Sequence, residues 1–179
     1  MILEYTMKKG AKPPTRANPS DAGLDVFYCP KDPNISISAI KPGENQLLPT
    51  GLSFGVPHGY MLQVCNRSSM GATRSLIVGA HVVDSGYSGE VFIDLHNIGK
   101  EEQFISSGDK IAQLVLVPVI HFRSVEKKSG SLYEEDITMS SREARALGST
   151  DPLLKDSSKE EKTNDIKKYD LKDWNPPGW

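Results

Sequence analysis

The chain has 179 residues, 37% of them apolar and 25% charged, with a formal net charge of −2. That is enough for one domain with a core of its own. The near-neutral balance and the lack of a basic stripe exclude a general electrostatic attraction to nucleic acid or to an anionic membrane. Two cysteines, Cys29 and Cys65, are too few for a disulfide framework and stand at no metal-ligand spacing, so they read as small apolar side chains in a reducing compartment. No apolar run reaches the ~18 residues of a membrane span, and the N-terminus carries no signal-peptide pattern, so a cytoplasmic protein is expected.

From Ile2 to about Ile120 the chain is a succession of short apolar stretches. Turn signals at Lys41-Pro42-Gly43, Pro49-Thr50-Gly51, Pro57-His58-Gly59 and Ser107-Gly108-Asp109 separate them. This spacing predicts an all-β domain, a sandwich or barrel. In Ile35–Ile40 (ISISAI) the alternation sets Ile35, Ile37 and Ala39 on one face, and Tyr60–Asn66 (YMLQVCN) alternates as well. Gly79–Val91 (GAHVVDSGYSGEV) reads as a hairpin: a buried arm Ala80–Val83, a tight Asp-Ser-Gly turn, and a return arm through Tyr87, Gly89 and Val91. Lys110–Ile120 is the longest apolar strand and is expected in the middle of the core. Its Gln113 then needs a partner, either a neighbouring strand or a ligand.

Composition changes after Phe122. Residues 123–150 form an arm, and Asp151–Trp179 holds seven acidic residues and six lysines among twenty-nine, too polar to offset its ordering entropy, so a mobile tail is expected. The tail ends in DWNPPGW, where Trp174 and Trp179 suggest a protein contact or a plain exposed terminus.

Five stretches combine polar chemistry with glycine: Ser20–Val26 (SDAGLDV), Asn66–Ala72 (NRSSMGA), the Gly79–Val91 segment, Gly108–Leu114 (GDKIAQL) and Arg142–Thr150 (REARALGST). Taken singly, each has a bland explanation. Asp84 can open an Asx-turn, Tyr87 can pack across strands, and Arg67-Ser68 can cap a helix beside a surface arginine. In order and spacing, however, the first four resemble the motifs of the trimeric dUTPase family over about Met1–Val119. Gly79-Ala80, Val82-Val83-Asp84, Tyr87 and Gly89 match the third of these motifs, with Arg67-Ser68 upstream.

The resemblance implies a jelly-roll type β-barrel, a homotrimer with sites between subunits, and Mg²⁺-dependent hydrolysis of dUTP to dUMP and pyrophosphate. Such a reaction keeps uracil out of DNA and supplies dUMP for thymidylate synthesis. Asp84 would be the base that activates the attacking water. Tyr87 would pack on the deoxyribose where a 2′-hydroxyl would clash, and the backbone of Leu76–Val83, including Val78 and Val83, would hold the uracil. Arg67, Ser68, Ser69 and the helix start after them would take phosphate oxygens, as would Gln113. Asp21 would accept from water on the Mg²⁺, with no direct protein cage. Asp25 would orient the Arg67 region or serve the turn.

In the fifth stretch Arg142, Gly148, Ser149 and Thr150 keep the phosphate-binding types of the family's closing arm. Leu147 stands where the family has a stacking aromatic, and the glycines before it are missing. Ser140–Glu143 also matches a capping box, a signal for a short helix there.

Two alternatives remain. The related dCTP deaminases carry an arginine and a glutamate where this chain has Ala72 and Asp94, which disfavours deamination. A regulatory protein of the same fold, acting through its tail, is the other. Zinc chemistry is not expected, because His58, His81, His96 and His121 show no ligand spacing.

Overall fold

A computed structural model describes residues 1–130 and 132. The chain divides into two compact units, Met1–Arg123 and Ser124–Trp179. The named elements all fall in the first. Arg142, Leu147, Gly148, Ser149, Thr150 and Trp179 lie outside the described residues, as do the expected capping box and tail.

Among the described residues the chain forms eleven strands and one short helix. The strands are β1 (Tyr5–Met7), β2 (Leu24–Phe27), β3 (Ile37–Ile40), β4 (Asn45–Pro49), β5 (Leu52–Phe54) and β6 (Tyr60–Cys65). After helix α1 (Ser68–Arg74) come β7 (Leu76–Val78), β8 (Val82–Asp84), β9 (Phe92–Asn97), β10 (Gln103–Ser106) and β11 (Lys110–Pro118). They group into a four-stranded sheet β2-β11-β6-β8, a three-stranded sheet β4-β9-β7, and the pairs β1-β5 and β10-β3. Each ladder is antiparallel. The all-β expectation is met, and β11 is the longest strand, set between β2 and β6.

Alternation decides which side chains enter the core. In β9, Ile93, Leu95 and Asn97 point inward while Phe92, Asp94 and His96 point outward. Inward residues of the other strands, among them Val26, Ile40, Leu48, Leu52, Leu62, Leu76 and Ile111, complete one cluster. Truncating a leucine at such a site typically costs about 2–5 kcal/mol. Asn97 is admitted because its amide is satisfied: Nδ2 donates to the carbonyls of Ile40 and Glu101, both at 2.8 Å, and Oδ1 accepts from Gly99 N at 2.9 Å.

In β3, Ile37 and Ala39 do share one face; that face is exposed, as is Ile35 before it, and Ile40 is the residue that reaches the core. Two expectations for Gly79–Val91 need correction. The Gly79–Val91 segment is not a β-hairpin. Its first arm, β8, pairs with β6, and Tyr87–Val91 forms no strand. The chain turns at Ser85-Gly86, where Gly86 has φ +85°, then passes β5, with Val91 N donating to Leu52 O at 2.8 Å, and enters β9 of the three-stranded sheet. Ala80 and Val82, expected to be buried, are exposed in the single chain.

Candidate active site

Sequence-predicted residues collect at two places along β6. At its C-terminal end the chain passes through Asn66 into Arg67, an extended residue (φ −86°, ψ 137°) that caps α1 without a side-chain cap bond. Pairing of β2 with β11 and of β11 with β6 brings Asp25, Lys110 and Gln113 to the same end, with Gln113 in register with both Asp25 and Cys65. Arg67 Nε donates to Asp25 Oδ1 at 2.9 Å, and Lys110 Nζ stands 2.8 Å from Asp25 Oδ2. The guanidinium also reaches Ser69 Oγ and the Lys110 carbonyl, both at 3.4 Å. One carboxylate thus faces two cations, and the trio carries a net positive charge. Side-chain exposures of 16% for Asp25 and 25% for Arg67 mean that water screens this charge only in part. Ser68 and Ser69, the first residues of α1, are exposed beside it.

Gln113 is half-buried, and its Nε2 donates to Asn66 O at 2.9 Å. The structural bond weighed for this amide therefore exists, while its Oε1 lies against Gly23. A Cβ at Gly23 would stand 2.8 Å from that oxygen, which explains the glycine inside the first motif. Asn66 extends the link: its Oδ1 accepts from Val78 N at 2.6 Å and ties β7 to the end of β6. Val78 is buried and its amide is engaged in this way.

Asp21 lies in a turn. Its Oδ2 accepts from Asn18 N at 2.8 Å and its carbonyl accepts from Arg16, leaving Oδ1 with only a 3.4 Å contact to Asn18 Nδ2. Asp25, rather than Asp21, is the carboxylate that holds Arg67.

The second place is β8. Its register sets Gln63 opposite Val82, Leu62 opposite Val83 and Met61 opposite Asp84. Asp84 is exposed, Val83 half-buried, and Tyr87 47% exposed. Tyr87 N donates to Asp84 O at 3.3 Å, closing the turn, and Tyr87 Oη donates to Glu90 O at 2.9 Å. Val82, Val83, Asp84, Tyr87, Glu90, Val91 and Phe92 line a hollow of about 240 Å³.

Upstream of β8, Gly79 N donates to Asp94 O at 2.9 Å, and Gly79 sits over a polar trio on the outward face of the β4-β9-β7 sheet. Asn45 Nδ2 donates to Asp94 Oδ1 at 2.7 Å, and His96 Nε2 lies 2.9 Å from Asp94 Oδ2. Burial pushes the Asp94 carboxyl up, but the bonds from Asn45 and His96 outweigh it and hold it below its ordinary value.

Asp84 and Arg67 do not meet in one chain. Asp84 stands beside Met61, whereas Arg67 follows Cys65 by two residues. At ~3.3 Å per residue, Met61 to Cys65 alone spans about 13 Å. The residues that sequence reasoning gave no role are Asn66, Lys110, Glu90 and His96. Asn66 and Lys110 fall inside quoted motifs, and an amide at a strand end is a recognisable signal. Glu90 acts across a long sequence separation that no local pattern reports, whereas His96 meets Asp94 two residues away on one face of β9.

Comparison with known proteins agrees with this layout. The chain matches the dUTPase family over residues 9–141. It is 41% identical over 115 residues, 63% of this chain and 76% of the relative, to the deoxyuridine 5′-triphosphate nucleotidohydrolase of Gloeobacter violaceus. To that of Anaplasma marginale it is 34% identical over 151 residues, 83% of this chain and 95% of the relative. The dUTPase of Staphylococcus bacteriophage 80alpha, a point mutant with dUpNHpp, superposes with a TM-score of 0.70 at 22% identity, covering 83% of this chain and 97% of that one. With its motifs, strands and registers as described, the chain belongs to the dUTPase family.

Proposed function

We propose that the protein is a dUTP pyrophosphatase whose working form is a homotrimer in the cytoplasm, each site drawing on more than one copy. The observation that carries this reading is the exposed Asp84 carboxylate at the rim of the 240 Å³ hollow, held at the end of β8 beside Tyr87. Asp84 takes a proton from the attacking water. The water oxygen bonds to the α-phosphorus, the bond from that phosphorus to the bridging oxygen breaks, and pyrophosphate leaves with the electron pair. Arg67, kept net positive by Lys110 despite Asp25, receives phosphate oxygens together with Ser68, Ser69 and Gln113. The backbone groups of Val78–Val83 other than the engaged Val78 and Gly79 amides read the uracil edge, and Tyr87 covers the sugar.

Mg²⁺ belongs to the substrate in this scheme. Among the described residues no group of three or more His, Cys, Asp or Glu side chains is placed to hold a metal. The lightly engaged Oδ1 of Asp21 suits a water on a phosphate-borne ion. When bound, Mg²⁺ neutralises phosphate charge. A structural Mg(II) ion is described for the dUTPase of phage phi11 of S. aureus, which shares the fold. No helix among the described residues is long and apolar enough to cross a membrane. The closing arm with Arg142, Leu147, Gly148, Ser149 and Thr150 completes the site in this reading, and the tail ending at Trp179 is a candidate protein contact. Deamination is disfavoured because both oxygens of Asp94 are engaged by Asn45 and His96.

The test is a product assay with dUTP, dCTP, dTTP and UTP in parallel, with and without Mg²⁺. Magnesium-dependent dUMP and pyrophosphate from dUTP alone is the expected result. Deaminated dCTP would move the protein to the sister activity, and no turnover of any nucleotide would favour the regulatory reading.

A further inference from the structure

Glu90 lies just past Tyr87 and has no part in the mechanism above, yet its carboxylate is among the most enclosed charges described, with a side-chain exposure of 7%. Both oxygens are engaged. Oε1 accepts from Gly51 N at 2.8 Å, and Oε2 stands 2.6 Å from Lys8 Nζ. Lys8 N in turn donates to Gly51 O at 2.8 Å, so Lys8, Gly51 and Glu90 form a closed triangle. The next residue is held as firmly: Val91 N donates to Leu52 O at 2.8 Å, and Thr50 Oγ1 donates to Val91 O at 2.6 Å. Glu90 is therefore a fixed point on the start of β5, at the end of a loop that otherwise lacks strand pairing. Onto this fixed point the Tyr87 ring closes, its hydroxyl donating to the Glu90 carbonyl at 2.9 Å. Gly89 leaves the room: a Cβ there would stand 2.4 Å from Tyr87 Oη and 2.6 Å from its Cζ.

We propose that Glu90 is a specificity-determining positioning residue: by anchoring its own carbonyl to β5 through Gly51 and Lys8, it fixes the tilt of the Tyr87 ring and so the rejection of nucleotides bearing a 2′-hydroxyl. This rests on the reading of Tyr87 as the residue that covers the sugar. The two anchors are unequal. Lys8 is 65% exposed, and a screened ion pair of that kind contributes little. The bond to the Gly51 amide is part-buried and neutral in its donor, so an amide oxygen can replace the carboxylate there.

The experiment measures kcat/KM for dUTP and for UTP on the unaltered protein, Glu90→Ala, Glu90→Gln, Lys8→Ala and Tyr87→Phe, with thermal unfolding of each. Glu90→Ala should lower the dUTP/UTP preference roughly five- to tenfold, the size of one lost hydrogen bond. Glu90→Gln and Lys8→Ala should stay within about twofold. Tyr87→Phe, which removes the hydroxyl and leaves the anchor, should lower the preference as Glu90→Ala does, and the double variant should lower it no further. A preference unchanged in Tyr87→Phe, or in a folded Glu90→Ala protein that has lost only thermal stability, overturns the proposal. Should Glu90→Ala not fold, Tyr87→Phe decides alone. If the unaltered protein turns over no dUTP, the underlying reading falls and takes this inference with it.

Discussion

An Asp84→Asn chain and an Arg67→Ala chain should each be nearly inactive, and mixing them should restore activity. Asp84 is registered against Met61, and Arg67 lies beyond Cys65 and is held toward Asp25 and Lys110. The stretch of β6 between them spans about 13 Å before the last two residues are added. A base must stand within about 3 Å of its water, and the phosphate clamp must touch the same triphosphate, so the separation favours the proposed site in which two copies supply them. In a cyclic trimer each site then takes Arg67 from one copy and Asp84 from its neighbour. With two variants unfolded together, refolded and mixed one to one, a site is intact when its first copy is the Asp84→Asn chain and its second the Arg67→Ala chain. Random assembly makes about a quarter of the sites intact. The assay is dUMP release at matched chain concentration against each variant refolded alone. Recovery near a quarter is the expected outcome, and activity no greater than the sum of the two single variants would refute the shared site.

Asp25→Ala leaves Arg67 and Lys110 adjacent without their common anion. It should cost about 2–3 kcal/mol in urea unfolding and raise KM for dUTP more than it lowers kcat; a loss under about 0.5 kcal/mol would show the trio to be slack. Gly79→Ala would set a Cβ 2.3 Å from His96 Nε2 and 2.5 Å from Asp94 Oδ2, so destabilisation of about 1–3 kcal/mol is expected, and only part of it should vanish in a His96→Ala background, which leaves the Asp94 contact. The Asp94 carboxyl is held below its ordinary 3.8 in the folded chain, so its contribution is complete above about pH 4 and is lost as pH falls through the lower folded value. Asp94→Asn should therefore flatten the acid limb of the stability curve below pH 4, and an unchanged limb would assign acid unfolding to other carboxylates.

What could be read from the sequence was local. Alternation in Tyr60–Asn66 and in Lys110–Ile120 gave β6 and β11, because inward positions repeat every second residue and turn residues mark the ends. The same rule sets Ile37 and Ala39 on one face of β3, but period two says which residues share a face and not whether that face is covered, and here it is exposed. Gly79–Val91 reads as a hairpin because Asp84-Ser85-Gly86 has the composition of a tight turn. The turn exists, but partner choice is a long-range matter: β8 finds β6, twenty residues earlier, and β9 finds β4 and β7. Gln113 stands out in an apolar strand, but its contacts with Asn66 and Gly23 depend on registers that no window of sequence contains.

The exposure of β8 and the distance from Asp84 to Arg67 bear on each other. The arm that carries Asp84 leaves Ala80 and Val82 open to water, in a chain whose small net charge does little to keep copies apart. Apolar side chains on β8, which among the described residues pairs on one side only, invite a covering surface. If that surface is the Arg67 end of another copy, one contact both buries the arm and delivers the base to the phosphates. Stability and turnover would then fall together on dilution, since dissociation uncovers Val82 and separates Asp84 from Arg67 in the same step.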